Sequence, residues 1–504
     1  MSRVSKRRRK KPTKHNSGNS STGRLPLCSI GNQSLTVQES ADLAIQAYST
    51  GHLTEAANIC RQVLLIEPNH LIILHLLDEL ALQLDNNDFS ADVLEEPLPS
   101  EQNDAETFFH LGNHHYEQGE LEEAVANYHS ALALNPNFAE AHTNSGNALQ
   151  DLGRLDEALA NFLSAIEIIP NYPEALCNLG YVQQELGMLD KASESYRCAL
   201  NHRPELAEVR NNLGTTLQEQ GKLDEAMASY CKAIAINPEL PDVHFNLHTL
   251  LLDEGDLFPS IKCIEKAIDL NPDNTYYRFM LGVLLDCAGD TQAIAEQFDL
   301  VRKGDDLDRA RLDAWEHLRT ACKELPSIIG SSIDAFKIGI QSADIEGTVL
   351  EFGVRSGTSV RQIAELVDQD VHGFDSFEGL PETWHENPQG LYSTDGELPK
   401  VPENVILHKG WFEDTLPKFL EDFSDPVRFL NIDCDLYSST KTVLDHLSDR
   451  ICRGTVIVFD EYIGNKHWCE DEFKAFQEAV SKFDWNYEYL CFSFFTKQVA
   501  VRIV

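Results

Sequence analysis

Four carboxylates lie in two short clusters late in the chain, each at the end of a β-rich run. Asp433 and Asp435 end one run, and Asp460 and Glu461 end the next. Carboxylates this close repel one another, and a hard divalent cation such as Mg²⁺ relieves the repulsion. Either Asp433 or Asp435 could take the proton of a cation-bound hydroxyl as general base. The competing interpretation is that some of them cap the following helices, such as the one opening at Ser438.

A glycine-containing turn lies earlier, at the end of another β-rich run. Glu351 is followed by Gly353 and Gly357, and a helical stretch begins directly after them. Glycine permits a tight turn and close approach of a ligand to the backbone, and the helix N-terminus favours anions. The next run ends at Asp375, where a carboxylate suits a ribose diol. These residues predict a ligand site at the carboxyl ends of parallel strands.

The elements that must position these residues are seven short β-rich runs. They are Thr348–Val354, Val371–Ser376, Val405–Trp411, Arg428–Leu436, Gly454–Tyr462, Tyr487–Phe494 and Gln498–Val504. The first five alternate with helical stretches, which predicts a parallel, doubly wound α/β sheet. The last two are joined by a short connection, and we expect them to pair antiparallel at one edge. Residues 306–343 before them are predicted to be helical.

The first half of the chain repeats every 34 residues. The repeated positions are prolines (Pro136, Pro170, Pro204, Pro238, Pro272), glycines (Gly119, Gly153, Gly187, Gly221, Gly255, Gly289), alanines (Ala131, Ala165, Ala199, Ala233, Ala267) and aromatics (Tyr128, Phe162, Tyr196, Tyr230). The glycine lies between two amphipathic helical patterns, where positive φ is favoured, and the proline ends the second pattern. Several positions holding one period predict an all-α solenoid with a concave face built from the first helices.

This unit resembles the tetratricopeptide repeat, for example over Ala105–Phe138. Good copies span 105–274, a partial copy covers 275–304, a lone copy lies at about 37–70, and 71–104 is degenerate. The concave face carries a column of asparagines: Asn144, Asn178, Asn212 and Asn246. Side-chain amides both donate and accept hydrogen bonds, so this asparagine column could bind an extended peptide. A similar column is used by the repeats of O-linked N-acetylglucosamine transferase, but asparagine is also frequent at this position in generic repeats.

The second half resembles the macrocin/mycinamicin-type sugar O-methyltransferases over about 346–504. The resemblance rests on four phrases in a fixed order, DSFEGLP, GWFEDTLP, IDCDLYSST and FDEY. It implies a class I S-adenosylmethionine-dependent methyltransferase fold, transfer of a methyl group to a hydroxyl, and Mg²⁺. The implied cofactor residues are Glu351, Gly353, Gly357, Asp375, Ser376 and Phe412. The implied metal ligands are Asp433, Asp460 and Glu461, where the family's usual pair of aspartates is Asp-Glu in this chain.

Composition narrows the classes of function. Hydrophobic residues make up 42% and charged residues 24%, which is typical of globular domains. The net charge of −40 disfavours a nucleic-acid partner, and the absence of an apolar run of 18 residues predicts no membrane helix. The twelve cysteines form no CxxC pair, which indicates a reducing compartment, so we predict a cytoplasmic protein. The basic N-terminal residues are either an interaction arm or localisation signal, or a solubilising tail.

The sequence therefore predicts four segments. They are a disordered basic tail at 1–36, a repeat solenoid at 37–304, a helical connector at 305–345 and a methyltransferase domain at 346–504. The predicted function is methylation of a hydroxyl on a small molecule or glycan, with a protein or peptide partner in the concave face of the solenoid. The alternative is an interaction scaffold whose methyltransferase domain has lost catalysis. Few contacts are expected between the two halves, so a fragment starting near Asp306 should fold alone.

Overall fold

The structure is a computed structural model that describes residues 27–30, 33–50, 52–64, 72, 73, 76, 104–253 and 255–504. The chain divides into two compact units, Met1–Thr107 and Phe108–Val504. In the first unit, strands β1 (Leu27–Ile30) and β2 (Gln33–Thr36) pair antiparallel ahead of helices α1 (Val37–Ser49) and α2 (Leu53–Leu64). The sequence predicted disorder as far as residue 36, and the structure pairs the last part of that segment. Residues 1–26 and most of the degenerate period lie outside the described residues.

Twelve helices follow, in antiparallel pairs that stack as the repeat predicts. They are α3 (Ala105–Gln118), α4 (Leu121–Leu134), α5 (Ala139–Asp151), α6 (Leu155–Ile168), α7 (Pro173–Glu185), α8 (Leu189–His202), α9 (Ala207–Glu219), α10 (Leu223–Ile236), α11 (Pro241–Leu250), α12 (Phe258–Leu270), α13 (Thr275–Cys287) and α14 (Thr291–Val301). None of the helices in the described part of the chain combines the length and apolarity needed to cross a membrane.

The repeated residues explain the helix pairs. Five of the six repeated glycines have φ between 74° and 81°, the left-handed conformation predicted for them: Gly119, Gly153, Gly187, Gly221 and Gly289. The prediction is wrong for Gly255, which has no positive φ. The repeated aromatic residue of each second helix is fully buried, as at Phe162. It lies against a glycine of the first helix, since a Cβ on Gly146 would come within 2.6 Å of the Phe162 ring. This second glycine position fixes how closely the two helices of a repeat approach.

The C-terminal domain is built on an eight-stranded sheet with the order β3-β9-β10-β8-β7-β4-β5-β6. The strands are β3 (Ser327–Ile328), β4 (Thr348–Phe352), β5 (Val371–Asp375), β6 (Val405–Lys409), β7 (Val427–Ile432), β8 (Val456–Phe459), β9 (Tyr487–Phe492) and β10 (Val499–Ile503). Strands β4–β8 are parallel, and β10 runs antiparallel to both β8 and β9, as predicted. The structure adds β3, which pairs with β9 where the sequence predicted helix.

Six helices accompany this sheet. They are α15 (Asp306–Ala321), α16 (Ser332–Ser342), α17 (Thr358–Glu365), α18 (Phe412–Asp422), α19 (Tyr437–Leu447) and α20 (Glu472–Phe483). The predicted connector is thus divided into α15, β3 and α16, because Ser327–Ile328 pairs with the edge strand β9 instead of continuing a helix. In α15, Trp315 is only 1% exposed and its ring lies 5.5 Å from that of Phe492 in β9.

The expectation of few contacts between solenoid and sheet is wrong. A single hydrophobic core contains both Phe279 of α13 and Phe494, which follows β9, and their rings meet edge to face at 4.8 Å. The Tyr276 hydroxyl donates to the Phe494 carbonyl at 2.8 Å, and Gln218 Nε2 donates to the Gly330 carbonyl at 2.7 Å. The last repeats have no polar cap and bury their apolar face against the sheet domain instead.

Candidate active site

The site forms where the ends of β4, β7 and β8 lie side by side. Phe352, Ile432 and Phe459 are in register across the three strands. The Asp433 amide donates to the Phe352 carbonyl at 2.8 Å, and the Asp460 amide donates to the Ile432 carbonyl at 3.0 Å. Parallel pairing therefore brings both carboxylate clusters to the carboxyl edge of the sheet, next to the glycine turn.

Two glycines shape that turn as predicted. Gly353 has φ of 96°, and a Cβ there would lie 1.7 Å from the Asp433 carbonyl oxygen. Gly357 has φ of 79° and is the N-terminal cap of α17. No other residue type fits at Gly353 without moving β7, so the turn and the Asp433 backbone are packed as one piece.

Glu351, in β4, is fully buried below the turn. Asn431 Nδ2 donates to its Oε1 at 3.2 Å, whereas its Oε2 has no hydrogen-bond partner among the described residues. Burial raises the pKa of Glu351 to about 8. A buried acceptor without a donor is costly, and a cationic ligand group would both satisfy it and restore its ionised form.

The other predicted cofactor residues lie around the same edge. Asp375 ends β5 and accepts hydrogen bonds from the amides of Arg355, at 2.7 Å, and Phe377, at 2.6 Å. Ser376 is part of the next turn, where its Oγ accepts from the Glu378 amide at 3.1 Å. Asp375 therefore ties the glycine turn to the turn after β5, a structural role that the sequence did not reveal.

Phe412, the remaining predicted cofactor residue, begins α18. Its ring is half-buried and meets the ring of Phe352, at the end of β4, edge to face at 5.2 Å. The contact packs α18 against the strand that carries Glu351. It places an aromatic ring at the carboxyl edge of the sheet, where the other predicted cofactor residues lie.

The carboxylate cluster is electrostatically strained. Burial, followed by repulsion from neighbouring carboxylates, raises the pKa of Asp433 well above its usual range and that of Asp435 to about 8. Burial and repulsion from Glu461 raise the pKa of Asp460 to about 7. Asp435 has left-handed backbone, with φ of 58°, and accepts no hydrogen bond from a described residue.

Three residues that the sequence analysis missed complete the cluster. Lys497 Nζ donates to both carboxylate oxygens of Glu461, at 2.6 and 2.8 Å, and Gln498 Nε2 donates to Asp460 Oδ1 at 2.6 Å. Glu472 is fully buried, and its Oε2 accepts from the Glu461 amide at 3.1 Å. Lys497 and Gln498 lie in the turn between β9 and β10. The sequence predicted this hairpin, but the residues that the turn contacts depend on the order of the strands in the sheet.

The predicted metal ligands fit a cation only in part. Burial and the neighbouring carboxylates raise the pKa of both Asp433 and Asp460, and a divalent cation would relieve this repulsion, whereas Glu461 pairs with Lys497. Among the described residues, only His385, His467 and Glu470 place three such ligand atoms within 4.8 Å of one another. The carboxylate oxygens of the predicted set are spread more widely than that.

The segment between β5 and β6 lies over the cluster. The Arg355 guanidinium lies 4.6 Å from the centre of the Tyr392 ring, and Asp435 contributes to the raised pKa of Tyr392 after burial. Trp384 is buried and donates to Asp471 Oδ2 at 3.1 Å, which fastens the segment to the start of α20. Trp384 thus anchors the segment, and the partly exposed Tyr392 ring is the aromatic group on this side of the site.

The asparagine column connects successive repeats. The amide nitrogens donate to asparagines of the preceding repeat, from Asn144 to Asn113 at 2.7 Å and from Asn178 to Asn147 at 2.8 Å. Asn246 likewise donates at 3.0 Å to an asparagine of the preceding repeat. The side chain of Asn212, in contrast, hydrogen-bonds no described residue. The column therefore supports the stacking of repeats, and its binding of a peptide stays a prediction.

This difference within the column can be measured. Asn178→Ala leaves Asn147 without its donor and should lower the free energy of unfolding by about 1 kcal/mol. Asn212→Ala is the matched control and should change stability little, because no hydrogen bond within the protein is lost. Thermal unfolding followed by circular dichroism checks both variants. Equal destabilisation by the two substitutions would show that the connections between repeats contribute nothing.

Known proteins match both halves of the chain. Residues 332–486 match the family described as Macrocin-O-methyltransferase (TylF). Residues 112–153, 146–187 and 216–255 match a TPR repeat family, and residues 173–205 match a second tetratricopeptide repeat family. The chain joins tetratricopeptide repeats to a macrocin-type O-methyltransferase domain. Both resemblances drawn from the sequence are confirmed.

Two curated relatives come from Streptomyces. Demethyldecarbamoylnovobiocin O-methyltransferase of Streptomyces niveus is 26% identical over 28% of this chain and 61% of its own length. The 8-demethyl-8-(2,3-dimethoxy-alpha-L-rhamnosyl)-tetracenomycin-C 4'-O-methyltransferase of Streptomyces olivaceus is 29% identical over 23% of this chain and 54% of its own length. The chain thus spans little more than half of each relative.

A solved structure matches the repeats. It is YrrB, described as a TPR protein with an unusual peptide-binding site, at 25% identity and a TM-score of 0.31. The match covers 35% of this chain and 91% of that one.

Proposed function

We propose that this chain is a cytoplasmic, S-adenosylmethionine-dependent O-methyltransferase that methylates a hydroxyl of a sugar or glycan, assisted by Mg²⁺. Asp435 is the observation on which the proposal rests. It lies at the carboxyl edge of the sheet beside the glycine turn, it accepts no hydrogen bond from a described residue, and burial, followed by repulsion from Glu461 and Asp460, raises its pKa to about 8. A carboxylate with a pKa near the working pH is suited to take a proton from a hydroxyl.

The cofactor residues have separate tasks in this proposal. S-adenosylmethionine, when bound, would supply a methyl group attached to a positively charged sulfonium. The sulfonium becomes a neutral thioether when the methyl group leaves it. Glu351 Oε2, buried without a partner, receives the ammonium of the methionine part. Gly353 and Gly357 keep the turn free of side chains, and Asp375 receives the ribose hydroxyls with the lone pairs that its two backbone donors leave. Ser376 and Phe412 border the adenosine.

The chemical step needs one proton acceptor and correct alignment. With the cofactor bound, Asp435 would take the proton of the acceptor hydroxyl while the oxygen of that hydroxyl bonds to the methyl group, and the thioether of S-adenosylhomocysteine would be the leaving group. Alignment of the hydroxyl opposite the sulfur provides much of the remaining acceleration.

Asp433 and Asp460 are the residues that would hold Mg²⁺. A cation held there makes a bound hydroxyl more acidic and orients it. Glu461, which the resemblance adds to the ligand set, would first have to release Lys497. Five acidic residues form the cluster, and among the described residues Lys497 pairs with one of them and Arg355 interacts with another, so added positive charge is favourable: Asp433, Asp435, Asp460, Glu461 and Glu472.

The acceptor class is supported by the relatives and by the lining of the site. Both relatives are named as O-methyltransferases, and one name includes a rhamnosyl group. Tyr392, which is partly exposed, offers an aromatic ring on which a sugar could pack. The repeats would bind a protein or peptide partner and recruit the acceptor to the site.

A methyl-transfer screen tests this function. The full chain is incubated with S-adenosylmethionine carrying a tritiated methyl group, Mg²⁺, and a panel of sugars, glycans and cell extracts. We expect label in a hydroxyl-bearing product, and labelling at least about a hundredfold slower with Asp435→Asn. Label that appears only in protein or nucleic acid would reject a sugar or glycan as the acceptor.

A further inference from the structure

The turns of successive repeats pack against the predicted cofactor turn. A Cβ on Gly187, between α7 and α8, would lie 3.3 Å from Arg355 Nη1. One repeat later, a Cβ on Gly221 would lie 3.4 Å from Gln362 Nε2, and that atom donates to the Glu219 carbonyl at 2.7 Å. Arg355 belongs to the glycine turn and Gln362 to α17, which the turn opens. The solenoid therefore forms a wall behind the turn.

Arg355 is held at this wall, and its guanidinium interacts electrostatically with Asp375 and Asp435 without a close ion pair to either. Its backbone is left-handed, with φ of 46°, and its amide donates to Asp375. Its guanidinium lies between the Tyr392 ring and the Gly187 turn. It forms no ion pair and no side-chain hydrogen bond with any described residue. Its five N–H donors therefore remain available to a ligand.

The amino-acid part of S-adenosylmethionine suits such a group. Its methionine part carries an ammonium and a carboxylate on one carbon, so the carboxylate lies close to the group that Glu351 receives. The cluster beside it is acidic and repels a carboxylate. Lys497 is paired with Glu461, and the Arg361 guanidinium donates to the carbonyls of Ser356 and Lys400.

We propose that Arg355, positioned by the Gly187 turn of the solenoid, receives the carboxylate of S-adenosylmethionine. The inference rests on the proposed function, since it needs that cofactor at the glycine turn. It gives the repeats a second task besides partner binding: a repeat turn holds a cofactor-binding side chain in place. Guanidinium–carboxylate pairs are strong and directional, so the position of Arg355 sets the cofactor affinity.

Isothermal titration calorimetry on the full chain, with two ligands, measures what the contact between Arg355 and the carboxylate contributes to affinity. S-adenosylhomocysteine contains the amino-acid part, whereas 5′-methylthioadenosine has the same nucleoside and thioether without it. Arg355→Gln should weaken S-adenosylhomocysteine about tenfold or more and leave 5′-methylthioadenosine within about twofold, since only the former loses a charged hydrogen bond. Arg355→Lys should recover part of the loss.

Two glycine substitutions in the solenoid test whether the Gly187 turn positions Arg355. Gly187→Asn and Gly153→Asn place the same side chain at nearly the same φ, 74° and 77°, but a Cβ on Gly153 meets nothing within 4 Å. We expect Gly187→Asn to weaken S-adenosylhomocysteine selectively, as Arg355→Gln does, and Gly153→Asn to leave both affinities unchanged.

Three results would overturn the inference. They are unchanged affinity for S-adenosylhomocysteine in Arg355→Gln, an equal loss for both ligands in that variant, and equal effects of the two glycine substitutions. If the wild-type chain binds neither ligand, the proposed function itself fails.

Discussion

Asp435→Asn should lower the rate of methyl transfer by about 10²–10⁴-fold, the usual contribution of a general base. Asparagine keeps the size of the side chain but cannot accept the proton of the acceptor hydroxyl. The affinity for S-adenosylhomocysteine should stay near the wild-type value, because the cofactor residues lie on other strands. Single-turnover methyl transfer and calorimetry measure the two quantities on the same preparation.

The matched control is Asp484→Asn. Asp484 also has left-handed backbone, with φ of 56°, but it is the exposed C-terminal cap of α20. It should retain full activity. Removal of divalent cations by a chelator should also lower turnover, with rescue by Mg²⁺ in the wild type but not in Asp435→Asn. Full turnover by Asp435→Asn would assign the proton to Asp433, and full turnover with excess chelator would remove the metal from the mechanism.

A chain that begins at Asp306 should fail to fold as a soluble unit, contrary to the expectation from the sequence. The cut removes Phe279 from the core that it shares with Phe494, which is 3% exposed in the whole chain. Exposing a buried phenylalanine costs about 1.5–3 kcal/mol, and several apolar residues lose their cover together. A chain that begins at Ala105 keeps this core and should unfold cooperatively.

Size-exclusion chromatography and thermal unfolding compare the two truncated chains. A monomeric Asp306–Val504 fragment with a cooperative transition near that of the longer chain would contradict the shared core. Binding of S-adenosylhomocysteine to the longer chain confirms that the first unit is dispensable for the site.

The sequence predicted most of the scaffold because its signals are periodic. The 34-residue repeat gave the helix pairs, and the β-rich runs gave strands whose carboxyl ends carry Asp375, Asp433 and Asp460. Strand β3 was missed because two residues at an edge leave no pattern; their pairing depends on β9, which lies far along the chain.

Residues that act through tertiary contacts were not predictable. Lys497 reaches Glu461 only because the β9–β10 hairpin folds back beside β8, and Arg355 meets Gly187 only because the solenoid packs on the sheet domain. The asparagine column was recognised, but its amides are shared between repeats, a consequence of how the helices stack. Local patterns therefore identified the carboxylates of the site and not the groups that hold them.

The account depends most on a cofactor at the glycine turn, and one calorimetric titration tests it. S-adenosylhomocysteine is titrated into the full chain and into Glu351→Gln, which keeps the size of the buried side chain but removes the charge that would receive the ammonium. Circular dichroism checks that the variant is folded. We predict saturable binding at one site per chain for the wild type and at least about tenfold weaker binding for the variant. No binding to the wild type, or equal binding to both, would contradict the account.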